Sequence, residues 1–288
     1  MPGKAHVRRA EALRSEPLPN APATAPRAPR RRMPPVARRL LMGALSIGTV
    51  LVLWHWSVGT VFNPALVPTP EQTFAKAWKM MQSGELFIHI AVSMRRVLVG
   101  YVVGCLLGIL LGAVIGRVAL VRELADPLLE LIRPISPVAI VPLAMLWFGI
   151  GEISKFFVII YATIIIVLLN TAAGVSRTPI TRIRAARCLG ASEYEVFAKI
   201  VLPSAVPYVL TGMRVALGFS FMGIVAAELI GANEGLGFLI MNSQMLLQTD
   251  QLFVGLLSLG IVGLIVDRIF RALLARSMRR YMQFLGDV

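Results

Sequence analysis

Residues Gly100–Gly116 read GYVVGCLLGILLGAVIG, a run without a single charge in which glycine returns at 100, 104, 108, 112 and 116. Such a segment has lipid as its natural solvent, because about 20 helical residues cross a hydrocarbon core of about 30 Å. Its four consecutive G-x-x-x-G units leave bare backbone along one ridge, where a neighbouring helix can approach closely. At 3.6 residues per turn the row of Gly100, Gly104, Gly108, Gly112 and Gly116 drifts by about 40° per step. That drift suits a crossing partner, or two partners in succession, as a static contact or a sliding surface.

Composition extends the membrane reading to the whole chain. Of 288 residues 57% are hydrophobic and 15% charged, against about 25% charged in ordinary soluble domains. Six spans follow, at roughly 40–62, 97–116, 127–148, 156–175, 205–230 and 252–273. The expected class is an all-α polytopic membrane helical bundle: a six-helix transmembrane domain over 40–275, preceded by a basic tail (1–39) read as disordered and followed by a short end (276–288). The net charge of +14 does not point to nucleic acid. Ten of the 29 Lys and Arg precede Leu40 and most others flank apolar runs, the pattern of orientation signals and lipid-headgroup contact. By the positive-inside rule both termini and the 176–204 loop are cytoplasmic. Arg95 and Arg96 break the rule and are assigned to an amphipathic helix over 85–97.

Few residues in the spans carry chemistry. The third span holds Pro127, Pro134, Pro137 and Pro142, so it is expected to kink or unwind. Irregular backbone at membrane depth belongs where it is buried or lines a cavity, which makes Ser136 and Pro137 pathway candidates. Asn170, Ser220 and Glu228 complete that set. Glu228 is costly in hydrocarbon and must face the bundle interior or water, either lining the pathway or held as a structural carboxylate bonded to backbone or to an arginine on another helix. Glu234, Gly235 and Gly237 lie in the glycine-rich GANEGLGFL, an outer gate or a tight turn. No convergent His, Ser and Glu set marks an enzyme, Cys105 and Cys188 make no metal site, and Trp54 and Trp56 are assigned to an interfacial belt.

Between the fourth and fifth spans lies RAARCLGASEYEVFAKIVLP, Arg184 to Pro203. A helix starting at Pro179 should stop at Gly190, whose lack of Cβ suits a left-handed cap. Ser192 and Glu195 then form a capping box for a second short helix, with Val196, Phe197, Ile200 and Val201 on one apolar face, and Pro203 ends it or begins the next span. Two short helices meeting at small residues suit insertion into a groove on another protein; a stiff connector on the membrane surface is the other reading.

This stretch resembles the signature loop of permease subunits of bacterial ATP-binding-cassette importers, E-A-A-x(3)-G-x(9)-I-x-L-P. Ala185, Ala186, Gly190, Ile200, Leu202 and Pro203 match at the right spacing, with Ala191 and Ser192 beside them, while Arg184 stands where the family usually has glutamate. Arg133–Lys155, Leu202–Gly218 and Val225–Ile240 resemble the branch handling nitrate, taurine and alkanesulfonates. The resemblance implies a type I importer permease fold in the bacterial inner membrane, with no enzymatic activity of its own. It implies a homodimer, two cytoplasmic ATPase subunits seated on the 176–204 loops and holding the ATP and magnesium, and a periplasmic or lipid-anchored binding protein. This chain itself binds no cofactor or metal. The expected substrate is a small anion, an aliphatic sulfonate or taurine first, with nitrate, bicarbonate or a thiamine precursor as alternatives. A membrane anchor without transport is the alternative class.

Overall fold

A computed structural model describes residues 35–285, with side chains described for 41–276. The basic tail up to residue 34 and the last three residues lie outside the described residues, as do the side chains of the 276–288 end beyond Arg276. The described residues fall into two units divided between Val50 and Leu51. The first holds the N-terminal part of helix α1 (Pro35–Ser57).

The second unit is helical throughout its regular structure: α2 (Pro70–Gln82), α3 (Glu85–Arg117), α4 (Ala119–Ile132), α5 (Pro137–Phe148), α6 (Glu152–Ser176), α7 (Ile180–Cys188), α8 (Glu193–Gly231), α9 (Leu236–Met245) and α10 (Thr249–Leu285). Among the described residues α3, α6, α8 and α10 are long and apolar enough to cross a membrane, and the α4–α5 pair makes a fifth span if counted as one. The apolar part of α1, Leu41–Ser57, is shorter. Six spans are compatible with this, but only four or five meet the length. The helix ends at Ser57, before the expected Phe62, where Ser57 Oγ bonds back to the Trp54 carbonyl and a turn follows. The Trp54 indole stacks on Phe253 and its Nε1–H donates to the Pro68 carbonyl. Trp56 stays exposed.

Helix α6 is the axis of the unit, packed by α3 on one side and α8 on another. The glycine row of α3 meets α6 alone. A Cβ at Gly100 would lie 2.7 Å from Ile159 Cβ, at Gly104 2.7 Å from Thr163 Cβ, at Gly108 2.8 Å from Val167 Cβ, at Gly112 2.6 Å from the Leu168 carbonyl, and at Gly116 2.6 Å from Val175 Cβ. The contacts advance in step along both chains, so α3 and α6 run parallel. Two partners in succession are therefore not used. A contact repeat of four residues exceeds the 3.6 of a straight helix, so the pair absorbs the drift by wrapping right-handedly. On the other side Gly212 meets Asn170 and Gly174 meets Tyr208, bringing α8 equally close.

One further boundary differs from expectation. Arg95 and Arg96 belong to one continuous 33-residue α3, not to a separate amphipathic helix. The third span is interrupted where its prolines led one to expect: α4 and α5 bend by 98° at residues 133–136, where Pro134 has no N–H to continue α4 and Ser136 caps α5 by accepting from Val138 N–H at 3.3 Å.

Candidate functional site

The end of the bundle that carries residues 176–204 holds the expected loop. Helix α7 begins after Pro179, which is its N-cap rather than its first turn. It closes in a Schellman motif: Gly190 at φ +83°, its N–H donating to the Arg187 carbonyl, and Ala191 N–H donating to the Ala186 carbonyl, both at 3.0 Å. The capping box forms as read, with Glu195 N–H donating to Ser192 Oγ at 3.3 Å and Ser192 N–H donating to Glu195 Oε2 at 3.1 Å. Val175, Val196, Val201 and Ala205 make the buried core under this turn, with Ile183, Ala186, Ala191 and Phe197 against it. Ile200 is half-buried on the same side.

Pro203 neither ends a helix nor starts a separate one. Residues Phe197–Val201 form a π turn and Leu202 N–H bonds to the Phe197 carbonyl, so the second loop helix runs straight into the fifth span as α8. Proline at 203 removes one i→i−4 bond and its ring would clash with the preceding turn; the wider π turn gives that ring room.

What the loop leaves outward is uncommitted. Leu189 is 89% exposed and Tyr194 79%, while Arg184, Ala185, Arg187 and Gly190 are exposed around them. The two acids, both solvent-accessible, are taken up by local partners: Glu193 pairs with Arg117 and with Arg187, the latter at 2.7 Å, so Arg187 is engaged as well, and Glu195 pairs with Lys199 at 2.9 Å. The hydrogen bond from Arg117, with the nearby charge of Arg187, holds the Glu193 carboxyl below the ordinary carboxylate range. The outward face is thus basic with two apolar projections.

The opposite end holds a network that the sequence only hinted at. Arg96 on α3 grips Glu152 at the start of α6 through Nε (2.9 Å to Oε2) and Nη2 (2.5 Å to Oε1), and its Nη1 donates to Glu228 Oε1 on α8 at 2.8 Å and to the Glu234 carbonyl at 2.6 Å. Lys155 adds a bond to Glu152 at 3.1 Å. The Arg96 side chain is 4% exposed and that of Glu228 0%. The buried Arg96 and Glu228 neutralise each other, as buried charges must, while the partly exposed Glu152 is shared by Arg96, Lys155 and the exposed Arg95, the last at 3.7 Å. Ser93 Oγ donates to the Glu228 carboxylate, whose oxygens lie 2.9 and 2.8 Å away, and accepts from Leu236 N–H at 2.8 Å. Gly237 N–H donates to Glu228 Oε2 at 2.9 Å and Gly235 N–H to His89 Nδ1 at 3.1 Å.

These bonds place the other candidates. The Glu228 carboxylate is enclosed within this chain as a counter-charge to Arg96, the arginine-bonded arrangement left open in the sequence. Gly235 and Gly237 are buried, and glycine is required at both because a Cβ at either would run into Glu228. Glu234 has an exposed side chain and contributes its carbonyl alone. The 232–237 turn is bolted down rather than loose. Ser220 is fully buried with Oγ on the Leu217 carbonyl. Asn170 donates from Nδ2 to the Ile166 carbonyl and packs on Gly212. Ser136 is exposed and Pro137 half-buried at the α4–α5 break. Arg214 pairs with Asp267 on α10 at 3.3 Å. Among the described residues no three His, Cys, Asp or Glu converge on a metal position.

Parallel apolar helices meeting at glycines, with an ionic cluster at one end and a projecting turn at the other, define a multi-pass membrane protein. Within that class the chain belongs to the family of binding-protein-dependent transport system inner membrane components, which matches residues 104–280. It is 35% identical over 261 residues to the taurine transport system permease protein TauC of Escherichia coli K12, covering 88% of this chain and 93% of that one. It is 37% identical over 238 residues to the putative aliphatic sulfonates transport permease protein SsuC of the same organism, covering 81% and 90%. The nitrate import permease protein NrtB of Leptolyngbya laminosa is 34% identical over 182 residues, 63% of this chain and 65% of that one. Among solved structures, a chain in a crystal structure of an amino acid ABC transporter with histidines superposes with a TM-score of 0.57 at 17% identity, covering 70% of this chain and 97% of the other. That likeness shows the fold, an importer permease bundle.

Proposed function

We propose that this chain is the membrane channel subunit of an ATP-driven importer of a small anion, an aliphatic sulfonate or taurine first, with nitrate, bicarbonate or a thiamine precursor next. Two copies form the channel, with both termini cytoplasmic. Two ATPase subunits, which carry the ATP and magnesium, seat on the 176–204 turns, and a substrate-loaded binding protein docks at the opposite face. This chain holds no cofactor and supplies force transmission and a passage, not catalysis. The names of its relatives support the substrate class.

The observation that carries the reading is the α7–α8 turn. It is capped at both ends, supported by its own buried core, and leaves Leu189 and Tyr194 exposed among the described residues. The test is co-purification of the tagged chain with its co-expressed ATPase. A side chain at Gly190 would point into open space, so Gly190→Trp alters the docking face, while φ +83° strains the turn itself; Leu189→Asp changes the same face without that strain. Recovered ATPase is expected to fall at least tenfold with Gly190→Trp and with Leu189→Asp, while the chain itself is recovered in full. Recovery of no ATPase by the parent chain overturns the reading.

A further inference from the structure

The α4–α5 break brings together features that the membrane reading leaves unused. Arg133 follows α4 directly, its N–H bonded to the Leu129 carbonyl, and Pro134 stops the helix there. The turn is fixed in place: Tyr161 Oη donates to the Ile135 carbonyl at 3.1 Å, with the Ile132 carbonyl 3.4 Å away. Tyr161 lies nine residues into α6, about 14 Å along a helix roughly 37 Å long, within its apolar stretch. The break that carries Arg133 therefore lies beside the apolar stretch of α6 rather than beyond its end.

The surroundings of Arg133 differ from those of most other charges at depth, although Glu130 on the same helix is also exposed and, among the described residues, without an ionic partner. Arg96, Glu152, Lys155, Arg214, Glu228 and Asp267 each have an ionic partner. Among the described residues Arg133 has none and its side chain is exposed. Glu130, one turn back on α4, forms no ion pair with it. An unpaired guanidinium at membrane depth is tolerated when it faces a water-filled cavity, and broken backbone at that depth has the same requirement. Ser136, exposed three residues on, adds a hydroxyl to the same turn.

We propose that Arg133 faces the aqueous pathway and is the residue that contacts the anion in transit, its planar fork of N–H donors suited to the oxygens of a sulfonate or another oxyanion. This rests on the anion-importer reading. It also supplies what that reading lacked, since Glu228 and Ser220 are enclosed and the remaining candidates carry no positive charge.

The test uses the whole complex of this chain, its ATPase and its binding protein in proteoliposomes, with radiolabelled taurine as probe and methanesulfonate and nitrate as competitors. Arg133→Gln is expected to lower uptake at least tenfold while ATP hydrolysis stimulated by the loaded binding protein stays within twofold, and Arg133→Lys to keep at least a third of the uptake. Uptake by Arg133→Gln within twofold of the parent overturns the proposal. In a second arm, Arg133→Cys is treated with a membrane-impermeant sulfonate methanethiosulfonate and labelling is mapped by mass spectrometry. Modification at residue 133 supports an aqueous position and its absence overturns it. A parent complex that hydrolyses ATP but transports none of the three anions refutes the anion reading itself, and the labelling arm then still decides where Arg133 lies.

Discussion

Replacing Arg96 by methionine keeps most of the side-chain volume and removes the charge that neutralises Glu228. Losing one partner of a buried ion pair costs about 3–5 kcal/mol, mostly because the other charge is left uncompensated. Glu228 keeps the Ser93 hydroxyl and the Gly237 N–H, and Glu152 keeps Lys155 and partial access to solvent. The lower part of the range, about 3 kcal/mol, is therefore expected. For a chain of this size each kcal/mol moves the unfolding temperature by about 2–4 °C, giving a drop of roughly 6–12 °C. Arg96→Met combined with Glu228→Gln removes the orphaned charge and should recover about half of the loss. Cys105 is buried and Cys188 exposed, so in a Cys188→Ala background a thiol-reactive dye reports unfolding through Cys105 alone. A single variant within 2 °C of the parent, or a double variant no more stable than the single, refutes the claim that the cluster is a neutralised ionic core.

Gly112→Ala would place a methyl 2.6 Å from the Leu168 carbonyl and 3.1 Å from its Cα, so overpacking of about 1–3 kcal/mol should lower the unfolding temperature. Gly260→Ala, with open space at the same position, should instead gain up to about 1 kcal/mol of helix propensity; equal effects at the two sites would remove the case for a close α3–α6 contact. Ser192→Ala takes away the N-cap oxygen and should cost about 1 kcal/mol locally, seen as faster amide exchange over 193–197 with the spans unchanged. Arg184→Glu reverses the charge on the outward face and is expected to reduce ATPase recovery at least threefold at low salt, with a smaller effect at high salt; improved recovery would mean that the partner presents a basic rim.

Most of the fold was legible because lipid imposes a simple grammar: long uncharged runs, glycines every fourth position, prolines where a span breaks. The loop at 176–204 was legible down to its caps because Gly190, Ser192 and Glu195 each act on backbone within a few residues. What local pattern could not give was long-range pairing. Arg96 read as a breach of the positive-inside rule and Glu228 as a costly acid, two anomalies of opposite sign 132 residues apart that are one contact. The burial of Gly235 and Gly237 follows from that contact and was hidden with it. The α3–α6 wrap was missed for another reason: the drift of a straight helix was computed correctly, but helices that gain by touching bend to stay together. Pro203 misled because a proline in a helical pattern reads as a boundary, whereas one widened turn lets the helix continue.

That widened turn has a mechanical consequence. Because α8 runs unbroken from Glu193 to Gly231, 39 residues, the projecting turn and the ionic cluster are opposite ends of one rod about 58 Å long. Its middle is held against α6 at Gly212 and Gly223, which gives the rod a fulcrum. A tilt of about 5° there would carry each end by roughly 2.5 Å in opposite directions, so a displacement at Ser192 arrives, reversed, at Glu228. Hydrogen bonds of 2.8–2.9 Å at the far end would not survive that much movement unless the 232–237 turn travelled with the rod.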